Sequence, residues 1–444
     1  MVGNVLFSDY IPNTWAVGKY RISSSESWSP ATSVCHWMGV TCCSRRQRVK
    51  SLNLSNMTLM GRIPRDFGNL TFIVSLDMGS NNFYGNLPQQ MTYMRRLKFL
   101  NLRDNNFRGE VPSWFWFLHQ LHFLNLRNNS FTGFIPSSFS NLSTLETLNL
   151  NFNSIEGQIP KVIGSLINLR VLNLRGNKLI GSIPLSLSNA SGLDTLDISF
   201  NSLQGNIPEE IGNLHNMKVL SIQDNKLTGS IPLTIFNSSR IEFIAFARNS
   251  LSGYLPNGLC NDLPILKGLY LSDNKLHGHI PTRLSNCSQL QVLSLSEDDF
   301  TGEIPKAKSN LIELEKLDLG YNSFSGSLPM ELLDISGLIL IDLTDHNLSG
   351  SLPPNMCSIL PNIEELFLNN LTNLIRIIRH SISNCSKLTI HELADNKFIG
   401  LKLNISWYIF QPSKRHPSSL YREFFHVSYK VLRRKLQNKR ANFK

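Results

Sequence analysis

The chain has 444 residues, 17% of them charged, with a formal net charge of +11. Ten Lys or Arg and a single acid, Glu423, fall within residues 411–444, so the first 410 residues carry only +2. A near-neutral body excludes a nucleic-acid surface spread over the fold, and no run approaches the ~18–20 apolar residues of a membrane span.

Residues 1–24 match no pattern found elsewhere in the chain. Their apolar run breaks at Ser8 and Asp9, short of the ~7–15 apolar residues of a secretory signal. Residues 25–48 contain "WSPATSVCHWMGVTCC" (28–43). These cysteines lack a second ligand pair at zinc spacing, so no metal site is read here.

From residue 49 to residue 400 one period governs the sequence. Asparagine recurs every 24 residues from Asn81 to Asn249. Asn274, Asp298, Asn322, His346, Leu371 and Asn396 continue the series at steps of 24 or 25, and Met57 begins it. This makes fifteen units, of which "LRVLNLRGNKLIGSIP" (169–184) is a clean copy. Thirteen of the 20 prolines occupy one slot, Pro64 through Pro353, preceded by a recurrent glycine, Gly61 through Gly350. Alternating leucines predict a short strand with one apolar face. The asparagine marks a turn and offers an amide to backbone groups of neighbouring turns. Glycine permits a backbone conformation that other residues resist, and proline ends the next extended segment. One unit cannot enclose its own leucines, whereas stacked units bury a continuous column between a parallel sheet and an outer layer of turns. At ~4.8 Å per strand, fifteen units extend roughly 70 Å.

The x positions beside the leucines project from the concave sheet. The slot after the third leucine holds Arg103, Arg127 and Arg175 within four adjacent units. Acids take over further on, among them Asp197, Asp224, Asp273, Glu297, Asp318, Asp342 and Asp345, with aromatics such as Phe152, Phe200, Tyr270 and Tyr321 interleaved. Arginine forks suit carboxylates, and rigid rings supply contact area. The face is therefore the candidate ligand surface, represented by Arg103, Arg127, Phe152, Arg175, Asp197, Asp224, Tyr270 and Asp273.

Sequons for N-glycosylation occur at Asn53, Asn56, Asn69, Asn128, Asn141, Asn189, Asn237, Asn286, Asn347, Asn370, Asn384 and Asn404. Asn69, Asn141, Asn189, Asn237, Asn286 and Asn384 share nearly one phase, which predicts a stripe on the outer side. Cys260 and Cys287, and likewise Cys357 and Cys385, fall in the outer turns of adjacent units, where each pair bridges consecutive coils if the sulfurs approach correctly. "RDFGNL" (65–70) contains the D-F-G of kinases, but it fills the slot of Ile163-Gly164-Ser165-Leu166, and no glycine-rich loop or H-R-D accompanies it. No catalytic set, metal box or cofactor motif is read, so no enzyme and no cofactor are expected. The pattern decays after residue 360 and stops at Leu401, and fraying is expected there. Residues 401–444 form an unmatched basic tail, read as translated non-coding sequence rather than as a basic amphipathic membrane-surface helix.

The unit and the cap together resemble the plant-specific leucine-rich repeat of receptor-like kinases and receptor-like proteins, over about residues 25–400. The resemblance implies an α/β leucine-rich-repeat solenoid: a right-handed superhelix with a parallel β-sheet on the concave face and short 3-10 or helical turns on the convex face. It also implies a second, smaller strand at the G-x-I-P position. The C-x-W-x-G-V-x-C stretch is similar to the family's N-terminal cap, which implies a Cys35–Cys42 disulfide and packing of Trp28 with Trp37. The implied function is a non-catalytic extracellular recognition module of a plant receptor in defence or development, here without its membrane span and kinase. Its implied partners are a peptide or protein ligand and a leucine-rich-repeat co-receptor kinase, with neither nucleic acid nor a small-molecule cofactor. Two other readings fit the same repeat: a secreted inhibitor of the kind that blocks fungal polygalacturonases, and a truncated receptor-kinase product without independent signalling.

Overall fold

The computed structural model describes residues 16–17, 28, 32–44, 47–306, 310–353, 355–374 and 385–396. The chain divides into two compact units, Met1–Ile399 and Gly400–Lys444. The second, with Asn404 and the basic tail, lies outside the described residues, as does Asn384.

Each 24-residue period folds as one coil. Its first leucines form a three- to five-residue strand, as in Phe99–Asn101 and Val171–Asn173. Fifteen such strands, from Val49–Asn53 to Ile390–Glu392, run parallel in strict chain order in one sheet. The register advances by one whole unit per strand, so Leu148 pairs Leu172 and Leu172 pairs Leu196. These leucines are fully buried, each contributing about 2 kcal/mol through removal of its side chain from water.

A second ladder of strands follows each turn. It is centred on the residues leading into the glycine, for example Leu59–Gly61 and Asn106–Glu110, one step earlier than the G-x-I-P position that the resemblance implied. All thirteen slot glycines have positive φ, for example +86° at Gly85 and +76° at Gly229, which glycine adopts without steric cost. The proline does more than end the strand. Pro64, Pro88 and Pro112 each sit at the N-cap of a five-residue 3-10 helix such as Arg65–Asn69, where a fixed φ and a missing N–H are both tolerated. In the last units the outer turn becomes a short α-helix, Met330–Leu333 and then Met356–Ile359.

The start of the column is closed by an antiparallel strand, Val40–Cys42, paired with Val49–Asn53. Cys35 and Cys42 are bonded. Trp28 stacks on Trp37 with ring centroids 6.2 Å apart, and Trp37 is buried. Within the segment expected to match nothing, Ala16–Val17 pairs antiparallel with Leu59 and Met60. At the other end packing continues past residue 360: Ile363, Leu366, Leu368 and Leu371 are at most 1% exposed. Cys260 is bonded to Cys287 and Cys357 to Cys385.

Candidate functional site

The asparagine of each unit is the clamp between coils. Asn153 accepts the Phe131 N–H at Oδ1 (3.0 Å) and donates from Nδ2 to the carbonyls of Leu126 in the preceding unit and Leu150 in its own, both at 3.0 Å. The same arrangement repeats from Asn81 to Asn274. Two titratable groups replace it later. Asp298 accepts the Leu276 N–H at Oδ1 (2.8 Å), so its buried Oδ2 takes the amide's place, without a hydrogen-bond acceptor role to fill. Burial pushes this carboxyl up to about 9. It is therefore protonated at neutral pH, and its O–H can donate where the amide does elsewhere. His346 sets its Nδ1 3.1 Å from the Asn322 carbonyl and its Nε2 2.9 Å from that of Leu319. Burial lowers its pKa, and the two carbonyls oppose that shift.

The residue just before the clamp has positive φ in every unit, from Asn56 to Asp395. Asn, Asp and Gly suit that region, but bulky residues there are strained. Phe152 (+53°), Phe200 (+54°), Arg248 (+58°) and Tyr321 (+52°) nevertheless occupy it. Strain of this kind concentrates at binding sites.

These residues frame a network on the concave face. Arg175 lies 4.4 Å from the centroid of the Phe200 ring and 6.0 Å from that of Phe152, while Arg127 lies 5.6 Å from Phe152. Arg175 also pairs with Asp197 at 3.8 Å, and both are buried. Burial depresses the Arg175 pKa against the pull of Asp197 and Asp224. Asp224 is raised by its own burial, partly offset by Arg248 and Arg175. Arg103 stands apart, paired with its neighbour Asp104 at 3.5 Å. Arg248, missed in the sequence, joins Asp224 (3.0 Å) to Asp273 (3.8 Å). It occupies the same slot as Phe152 and Asp224, so stepping that row by one period would have found it. Tyr270 is buried, at 2% exposure, rather than open to solvent.

Beside this network lie polar groups with nothing to bond. Among the described residues, both side-chain amide atoms of Asn173 and of Gln223, and the Ser221 hydroxyl, are buried without a hydrogen-bond partner. All three residues project from the sheet face opposite the leucines, Ser221 and Gln223 in one unit and Asn173 two units before it. Each such group costs roughly 1–3 kcal/mol until a partner reaches it.

The ten sequon asparagines within the described residues are all exposed. Asn69, Asn141, Asn189, Asn237 and Asn286 each end a 3-10 helix of the outer layer.

Residues 119–179 match the leucine rich repeat family, and its single-repeat form matches residues 48–70, 96–118, 192–214, 266–287 and 313–335. Over 47 residues the chain is 49% identical to the LRR receptor-like serine/threonine-protein kinase EFR of Arabidopsis thaliana, a stretch amounting to 11% of this chain and 5% of that protein. The match thus falls on the repeats alone. Among solved structures, the plant peptide hormone receptor RGFR1 in complex with RGF2 superposes with a TM-score of 0.70 at 33% identity, over 76% of this chain and 54% of that one. The Arabidopsis receptor kinase HAESA, solved with the peptide hormone IDA and the co-receptor SERK1, gives 0.65 at 29% identity, over 87% and 76%.

Proposed function

The chain is a leucine-rich-repeat protein homologous to the plant LRR receptor kinases, and from that premise we propose that it is a non-catalytic, extracellular recognition module that holds an extended peptide on its concave face. The observation that carries this reading is the set of unpartnered groups at Asn173, Ser221 and Gln223, which lie just beneath the sheet face at 0–1% exposure and come within a peptide's reach when neighbouring side chains move aside. An extended peptide presents alternating N–H and C=O groups, the complement such amides and hydroxyls need. The half-buried Phe152 and Phe200 beside them supply rigid contact area, and the half-buried Arg127 supplies positive charge for a carboxylate, whereas Arg175 is already paired with Asp197 beneath them. A co-receptor kinase is the expected second partner, by analogy with the HAESA complex. Glycans on the outer-layer sequons would leave the sheet face clear, and a mass shift on glycosidase treatment of the plant-expressed chain tests for them.

Affinity capture from plant extracellular fluid tests the main reading. A peptide, accompanied by a receptor kinase, is expected on the wild-type chain, with recovery reduced by Asn173→Ala and Gln223→Ala. Recovery of a cell-wall hydrolase insensitive to both substitutions would instead favour the inhibitor reading.

A further inference from the structure

The small net charge of the repeats conceals a separation along them. Residues 32–103 hold ten Lys or Arg and two acids, Asp66 and Asp77. Asp66 lies on the outer layer. Asp77 is buried and accepts the Asn101 amide at 2.9 Å. Five of the basic groups gather elsewhere, along the edge where the first three coils enter the sheet. Arg48 and Lys50 of the first coil stand in line there with Arg96 and Lys98 of the third, beside Arg95. Phe72, in the coil between, carries both of the aligned arginines. The Arg48 guanidinium lies 4.0 Å from its ring centroid and that of Arg96 4.8 Å. Two like charges thus lean on one ring against their mutual repulsion.

The same two slots are treated differently further along the column. Lys267 pairs with Glu242 of the preceding coil at 2.8 Å. Arg240 donates to Oδ1 of Asn216 at 2.8 Å, and Lys387 to Oδ1 of Asn362 at 2.7 Å. Each of these cations is answered by an acid or an amide one coil earlier. In the first three coils the chain supplies a ring in place of an acid, and among the described residues Arg48, Lys50, Arg95, Arg96 and Lys98 form no ion pair. Arg48, Arg95 and Arg96 are exposed, and Lys50, Lys98 and Phe72 half-buried.

We propose that this patch, Arg48, Lys50, Arg95, Arg96 and Lys98 about Phe72, binds an acidic segment of the peptide ligand, a run of Asp or Glu. The proposal rests on the concave-face reading above and adds the chemistry of one end of that ligand. Lys98 directly precedes the strand Phe99–Asn101, so a peptide leaving the concave face across the third coil arrives on the patch. Packing against Phe72 holds the two guanidiniums in place and leaves their N–H edges for carboxylates, which arginine takes as a two-pronged fork. The uncompensated charge also draws an acidic segment towards this end of the column before contact.

The test uses the full chain and three labelled probes, with Kd read by fluorescence anisotropy: N-acetylated and amidated tetra-glutamate, its neutral isostere tetra-glutamine, and tetra-galacturonate. Tetra-glutamate is expected to bind about tenfold or more tighter than tetra-glutamine, and to weaken as salt rises. Arg48→Gln combined with Arg96→Gln should lower its affinity several-fold. Both side chains are exposed, so their replacement does not threaten the fold. Phe72→Leu, which keeps every charge but removes the ring, should reproduce part of that loss. Lys161→Gln, on the outer layer, should change nothing. Equal binding of the two peptides, or a Lys161→Gln loss as large as that of the double variant, overturns the proposal. Tighter binding of tetra-galacturonate than of tetra-glutamate overturns it in favour of an acidic polysaccharide. If the patch fails while the extracellular-fluid ligand is still captured in an Asn173- and Gln223-dependent way, only the acidic end is lost and the concave-face reading stands.

Discussion

The units from Asn81 to Asn274 and those from Asp298 to Asn396 share one period but not one means of cohesion. In the first group every unit is clamped to its predecessor by a neutral amide. In the second the clamp is an aspartic acid, an asparagine, a histidine, a leucine and an asparagine in turn. Leucine spacing therefore sets the fold, while the chemistry of one slot sets how tightly and at what pH adjacent coils adhere. The disulfides fit the same contrast. Cys260–Cys287 and Cys357–Cys385 each span a place where the step lengthens to 25 residues, and the second joins the units on either side of the missing amide at Leu371.

The sharpest way to break this comparison is to remove something that the first group has in excess. Phe131 is fully buried, with its ring centroid 6.5 Å from that of Phe107, and Phe131→Ala should cost about 3–5 kcal/mol of stability by urea unfolding. Replacing Cys260 and Cys287 together by serine opens a loop of 27 residues and should cost about 3 kcal/mol by the same measurement. An unchanged midpoint would mean that packing alone carries the lengthened step. Asn153→Ala removes one clamp and strands the Phe131 N–H and the carbonyls behind it; about 2 kcal/mol is expected. Smallest, and opposite in sign, is Asp298→Asn, which restores the amide. The Asp298 carboxyl is raised in the fold from 3.8 to about 9, so the native state binds a proton that the unfolded chain releases. Its contribution is fully present below the unfolded value and declines as pH rises through that window. Asp298→Asn should therefore raise stability at neutral pH by about 1 kcal/mol and flatten the decline between acid and alkaline unfolding curves. A variant with unchanged pH dependence would show that the clamp slot tolerates a charge.

Much of this was legible in the sequence because repetition amplifies weak signals. One Asn-x-Leu says little; the same spacing carried through fifteen units identifies the strand, the turn and the slot that faces the next coil. The adjacency of Cys260 to Cys287 and the exposure of the outer-layer sequons followed from phase alone. What escaped the sequence were properties that arise only between units. Asp298 and His346 were visible as departures, but their meaning depends on the carbonyls that meet them. The strain at Phe152, Phe200, Arg248 and Tyr321 belongs to a backbone angle that no composition reveals. Arg175 and Tyr270 were read as surface groups, yet both are buried. The orphaned atoms of Asn173 and Gln223 became evident only once every other partner had been placed.

The clamp has a mechanical consequence. Each amide ties one coil to the next along the axis of stacking, so a pull on the ends of the column loads all of them in series. Tension in such an arrangement is equal everywhere, and the first link to part is the weakest one, not the one nearest the force. Leu371 supplies no amide, so the joint between its coil and the one before should yield first, with the Cys357–Cys385 bond as its safety strap. A peptide lying across several coils would add a second load path alongside the amides, and the column should become harder to stretch when it is occupied.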